Sequence, residues 1–342
     1  MKILNIAYIF FLLLFWSCSN QQTENNESNS LTNIIVDNYK NVVIDINKFT
    51  TTQDTTLLLP EENVIAPVKD LCMIDSMIYI LDHSKTISVF DTRSGNIIKT
   101  SNMTGQGPGE YVDPNVIISE RDTIYILDLQ SASVLVYNKN LEYIKNIRIK
   151  FPALDFIKID NGFLFYNLNV TKDIKDIVHT DLNGNIINSF SISERENDVI
   201  LTKKVFSKDE HENVYISAPV SNTIYEWKSN NINKAFFLDF GNKISDSKKN
   251  SQVIYEQEET MIGSYITSKY IITLFKSNRM VYTNIYDRKE KKSYSGIVRT
   301  GISTAFSPKC IYNNTIVDIY EQYIETEEIF DEHIVFVRYN LK

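Results

Sequence analysis

Three cysteines in 342 residues, at positions 18, 72 and 310, are too few for a fold built on disulfides. The four histidines, His83, His179, His211 and His333, show no H-x-H or H-x-x-x-H spacing, so no zinc signature is present. A G-x-S-x-G elbow is missing as well, and nothing marks a nucleophile. Lysine and arginine form no cluster and the net charge is −8. That balance argues against a nucleic-acid partner, because counterion release needs clustered cations. It equally disfavours adsorption to anionic lipid. Glycine is scarce, with 10 residues, so the abundant Asn is expected to carry much of the turn work. No long amphipathic helix is apparent.

What the chain does have is 20 Tyr and 18 Phe, which suit half-buried pleated surfaces. A hydrophobic content of 43% is enough to bury a large core. At the start, Lys2 precedes an apolar run over 3–16, and Ser17-Cys18 follows directly. The run is short for a membrane span and of the right length for a signal-peptide core. A cysteine after a small residue at the end of such a core resembles a bacterial lipobox, although Phe15 and Trp16 are bulky for one. The alternative is an ordinary signal or anchor with a coincidental cysteine. The lipobox reading makes 1–17 a signal peptide and Cys18 the lipidation site, with 18–33 a flexible polar tether (QQTENNESNSLTN after Asn20). The anchored protein would then sit in the cell envelope, at the outer membrane, touching lipid only through Cys18.

Beyond the tether one pattern recurs: an apolar strand, a polar turn, and a second apolar strand ending in an aromatic and Asp or Asn. It reads IYILD at 78–82 with ISVFD at 87–91, then IYILD at 124–128 with VLVYN at 134–138. Weaker copies are FLFYN at 163–167, VYISA at 214–218, YIITLF at 270–275 and TIVDI at 315–319. Each unit has room for four short strands, the size of a propeller blade, and neighbours must stack to bury their faces. The expected fold is an all-β six-bladed propeller over 34–342. The sixth copy ends after its third strand. Residues 55–60 (TTLLLP) are therefore expected to supply the missing outer strand and close the ring, and 41–47 to add a further strand or lie across the last blade.

The loop GQGPGEY at 105–111, followed by Pro114 and the two sharpest repeats, resembles an NHL-type repeat. More closely it is similar to the six-bladed β-propeller lipoprotein family, in which a G-x-G-P-G-E-[YF] loop joins the first two blades. Asn102-Met103-Thr104 departs from the basic residue and glycine usual before that loop. The resemblance implies a propeller and an envelope location, and no established reaction. A strand rather than a helix follows the loop, so a structural role fits it better than phosphate binding.

Propellers bind on the face carrying the loops between second and third strands and those linking blades. On this register that face carries His83, Glu110, Tyr111, Gln130, Asn169 and Arg279, with irregular insertions at 194–199, 241–260 and 321–333. Tyr255 and Glu256 would help rim a shallow funnel. Asp82, Asp128, Asn167 and Asn222 hold comparable positions; they read as turn closers or, alternatively, as ligands of a divalent cation in the channel. Cys72 and Cys310 fall in neighbouring blades, as buried thiols or as a disulfide. No catalytic residue and no cofactor is assigned. The expected function is a non-catalytic binding or scaffold module for an envelope protein, peptide or glycan. The alternative is a metal-dependent hydrolase or lyase.

Overall fold

Alternating apolar residues in short strands, separated by Asn- and Asp-rich turns, build six four-stranded antiparallel units arranged as a ring. The computed structural model describes residues 31–59, 65–192, 204–217, 221–241, 259–301, 306–325 and 330–342. Blade one is Val68–Ile74, Met77–Asp82, Thr86–Asp91 and Ile97–Asn102, paired in that order. Blades two to five follow the same order over 114–148, 153–190, 206–239 and 260–299. The folded unit starts at Leu31, so Thr32 and Asn33, read above as tether, already belong to it.

The N-terminal segment wraps three blades in turn. Strand β1 (Thr32–Ile35) adds in parallel to the outer edge of blade four, and β2 (Val43–Asp45) does the same on blade five. Strand β3 (Thr50–Leu58) pairs antiparallel with Phe330–Leu341 and becomes the outer strand of blade six. The closing strand expected at 55–60 is therefore present, begins earlier, and makes one blade from both ends of the chain. It is latched to blade one by Thr56, whose hydroxyl donates to the Thr92 carbonyl at 2.8 Å, and by the Leu59 amide, which donates to Gly95 O at 2.9 Å. Gly95 has φ +76° and lies so close to β3 that a Cβ would collide with the Leu57 carbonyl oxygen.

Each apolar cluster lies between two blades. Tyr79 and Leu81 of blade one meet Ile126 and Leu135 of blade two, and five comparable clusters complete the circle. Burying a side chain of this size contributes roughly 1.5–3 kcal/mol. The buried phenols keep hydrogen bonds: Tyr79 donates to Lys139 O at 2.7 Å and Tyr137 to Gly109 O at 2.9 Å. Among the described residues, fifteen non-glycine positions have positive φ and six of these are Asn, as the shortage of glycine anticipates.

Every blade junction also carries a polar staple near the axis. Asp70 accepts from Ile117 N of blade two at 3.0 Å, and Asn115 donates to Leu154 O of blade three at 2.8 Å. Asp155 accepts from Val205 N and Phe206 N of blade four. The hydroxyls of Ser217 and Ser264 join blades four and five, and Tyr265 donates to Pro308 O at blade six. Asp75 N donates to the Tyr312 hydroxyl at 2.8 Å, returning to blade one. Among the described residues, no helix is long and apolar enough to cross a membrane.

Candidate functional site

The first strand of every blade faces the ring axis. Where these strands turn into the second strands, they enclose a cavity of about 650 Å3. Its wall takes Cys72, Ser119, Lys158, Phe206, Tyr265 and Cys310, one from each blade. Its mouth is ringed by first-to-second turns, such as those of Asp75, Arg121 and Asn313. In an antiparallel blade these turns lie at the opposite end from the second-to-third hairpins.

Lys204, on the chain entering blade four, lines the cavity and places its ammonium 3.0 Å from Asp70 Oδ1 of blade one, across the ring. Burial alone would lower that ammonium, but Asp70 and Asp155 outweigh it and hold it above the usual lysine range. Asp155, 1% exposed, is pushed up to about 6 by burial, against the pull of Lys204 and the Val205 and Phe206 amides. Nearer the mouth, Lys208 pairs with Glu120 at 2.8 Å and Glu212 at 2.6 Å. The Lys158 ammonium rests on the carbonyl oxygens of Ile159 and Asp160, and burial holds it below its ordinary value. Cys72 and Cys310 are free thiols. Burial pushes both up, Cys310 to about 12, so neither is poised as a nucleophile.

The residues expected from the repeat register fall as follows. His83, Gln130, Asn169 and Arg279 are exposed in second-to-third hairpins of blades one, two, three and five. Three of these hairpins are tied to the linker entering their blade: His83 N to Pro67 O, Leu129 N to Asp113 O, and Leu168 N to Pro152 O. Glu110 is exposed and its carboxylate turns back to accept from Gly107 N at 2.7 Å. Tyr111 is a correction. It is fully buried between blades one and two, and its hydroxyl donates to Lys85 O at 2.8 Å, so it cannot rim a funnel. GQGPGEY is thus a self-closed blade linker anchored by its tyrosine.

Asp82 accepts from Thr86 N, and Asp128 from the amides of Val112, Asp113 and Gln130, so each carboxylate pins its own hairpin or linker. Burial alone would raise Asp128, but the Val112 and Asp113 amides, with Ser131, hold it below the ordinary carboxylate value. Asn167 bonds Asn169 and Lys175 within its loop, and Asn222 is buried in blade four. Among the described residues, no group of three His, Cys, Asp or Glu side chains is placed to hold a metal. Cys18, Tyr255 and Glu256, the insertion at 194–199, and all but the ends of 241–260 lie outside the described residues, as do the side chains of 322–333.

The axial charges were missed because only second and third strands entered the repeat. A signal was available: VKDLCMI at 68–74 and ALDFIKI at 153–159 each place an Asp inside an apolar strand, at the same bulge.

No curated protein matches the chain. Among solved structures it is similar to a protein of Bacteroides fragilis NCTC 9343 that is named as exported. That likeness has a TM-score of 0.68 and 16% identity, over 90% of this chain and 99% of that one. It is also similar to a DUF4221 member from Bacteroides vulgatus ATCC 8482, with a TM-score of 0.57 and 11% identity, over 86% and 97% of the two chains. At these identities the likeness is one of fold. Residues 60–341 match a family described as a domain of unknown function, and on a match over most of its length the chain belongs to that family, DUF4934.

Proposed function

We propose that the chain is an exported, lipid-anchored binding module without catalytic chemistry of its own, and that it takes the end of a peptide or a short glycan into the axial cavity. The observation that carries this reading is the cavity itself: about 650 Å3, polar and apolar by turns, and walled by the first strands of the six blades. Export is supported by the apolar run ending at Cys18 and by the fold likeness to a protein named as exported. The second-to-third hairpin face, with His83, Gln130, Asn169 and Arg279, is the competing surface for a protein partner.

The two sites separate by blocking one at a time. Ser207 is in the cavity wall, so Ser207→Phe crowds the cavity, while a His83→Ala/Arg279→Ala double variant alters only the other face. Ligands found by thermal-shift screening of the wild type should lose their stabilising effect in the first variant and keep it in the second. The reverse pattern moves the site to the hairpin face.

A further inference from the structure

Resting on the cavity reading, the charges of its lining narrow the ligand further. Most of them are engaged. Lys204 is paired with Asp70, Lys208 with Glu120 and Glu212, and Asp122 with Lys139. Asp209 closes its own turn on the amides of His211 and Asn213, and Glu210 is held by Ser268. Three of the rest, Asp75, Arg121 and Asp160, stand in exposed turns at the mouth. Among the described residues two charges remain inside, and both are ammonium groups. Lys158, on blade three, donates to the carbonyl oxygens of Ile159 and Asp160 and lies over the Phe163 ring, 5.6 Å from its centroid, with no carboxylate hydrogen-bonded to it. Lys309, entering blade six on the opposite wall, is only partly exposed; its amide donates to Val317 O at 2.8 Å, and its ammonium has no hydrogen bond or ion pair among the described residues. The carboxylate whose field it meets is Asp318, but both Asp318 oxygens already accept amides, from Ser307 at 2.9 Å and Ile319 at 2.8 Å.

An ammonium drawn partly out of water beside a carboxylate already engaged by two amides is under-compensated, and an incoming anion relieves that cost. The cavity wall also has apolar members, Ile311 next to Lys309 in the chain and Ile157 and Phe206 on blades three and four. We infer that the cavity binds the C-terminal carboxylate of a peptide at Lys309, with the last side chain, an apolar one, against that wall and Lys158 as a second cation along the path. A sugar acid would supply the anion but leave the apolar wall unmatched. The exposed Asp75 and Asp160 at the mouth favour a basic residue upstream in the peptide and disfavour an acidic one.

The test is calorimetric titration of the purified protein with acetyl-Lys-Ala-Leu as the free acid, with the same peptide as its C-terminal amide, and with glucuronate. The free acid should bind at least tenfold more tightly than the amide. Lys309→Gln should erase that preference and Lys309→Arg should keep it. Equal binding of acid and amide by the wild type overturns the inference, as does a preference that survives Lys309→Gln. Binding of glucuronate without the peptide acid overturns the peptide assignment. If no probe binds while other ligands still lose their effect in Ser207→Phe, the carboxylate site is wrong and the cavity reading stands. If ligands ignore Ser207→Phe as well, the cavity reading falls too.

Discussion

Lys204 and Asp70 belong to blades on opposite sides of the ring, yet their charged atoms are 3.0 Å apart, so a single ion pair spans the propeller axis. Asp155 of blade three, beside blade four, adds a second carboxylate to the same ammonium. Removing the cation strands two buried carboxylates near one another. Lys204→Met should therefore cost about 3–5 kcal/mol in a denaturant titration. Lys204→Met with Asp70→Asn should recover part of that, because the amide leaves one buried charge fewer. A loss below 1 kcal/mol for the single variant means that the pair is held open to solvent.

Asp155 makes one component of stability run against the usual direction with pH. Its folded value, about 6, lies above the ordinary carboxylate value, so between roughly pH 4 and 6 the folded state holds the extra proton. The stabilisation is complete below that window and is lost as pH rises through about 6, a change on the order of 3 kcal/mol. Asp155→Asn should flatten this part of the profile. Urea melts of wild type and variant from pH 4 to 7 decide it: parallel curves would mean that Asp155 titrates normally.

His179 works in the opposite sense. It is 3% exposed, stands edge-on to Trp227 at 5.0 Å, and its Nε2 has no hydrogen-bond partner. Burial holds it below the usual histidine value, so the unfolded chain takes up the proton first as pH falls below about 6.5. Its contribution is present above that pH and lost as acid reaches the lowered folded value. His179→Phe keeps a ring against Trp227 and removes the titration. The variant should gain melting temperature relative to wild type at pH 5 and little at pH 8.

The second and third strands of each blade were legible because they are sandwiched: IYILD in blade one is buried at Ile78 through Asp82, and the same letters return in blade two. The closing strand was legible through the shortfall of the sixth copy. β1 was not, because TNII follows a polar tract without a break, and its edge on blade four is recognisable only once blade four exists. Tyr111 was misread since a tyrosine after three glycines looks like loop, whereas its ring fills the gap between two blades. The Lys204–Asp70 pair joins residues far apart in the chain, and no local pattern foretells a contact made only when the ring closes. The cavity was missed with it, because its mouth belongs to the short first-to-second turns rather than to the long irregular loops.

The address rests on one atom. If Cys18 carries lipid, growth with a labelled fatty acid should mark the wild-type chain and leave Cys18→Ser unmarked, with the variant recovered in soluble extracts. Equal labelling of both would remove the lipid anchor and leave an ordinary signal peptide in its place.

Ring closure is the point at which the fold should be easiest to break. Blade six lacks an outer strand until β3 arrives, and β3 approaches blade one most closely where Gly95 leaves room for the Leu57 carbonyl. Gly95→Val adds a side chain at φ +76° and drives it into the Leu57 carbonyl, so both the turn and the latch are strained. The expected loss is roughly 2–4 kcal/mol, with no change in the secondary structure of the other five blades. Deleting residues 50–58 goes further: it bares the edge of the last strand from Ile334 to Leu341, and an unpaired edge of that kind pairs with other chains. The deletion should elute as aggregate in size-exclusion chromatography while Gly95→Val stays monodisperse but melts early. A deletion that remains monodisperse, with the wild-type melting temperature, would show that β3 is an ornament on a ring already closed by its other contacts.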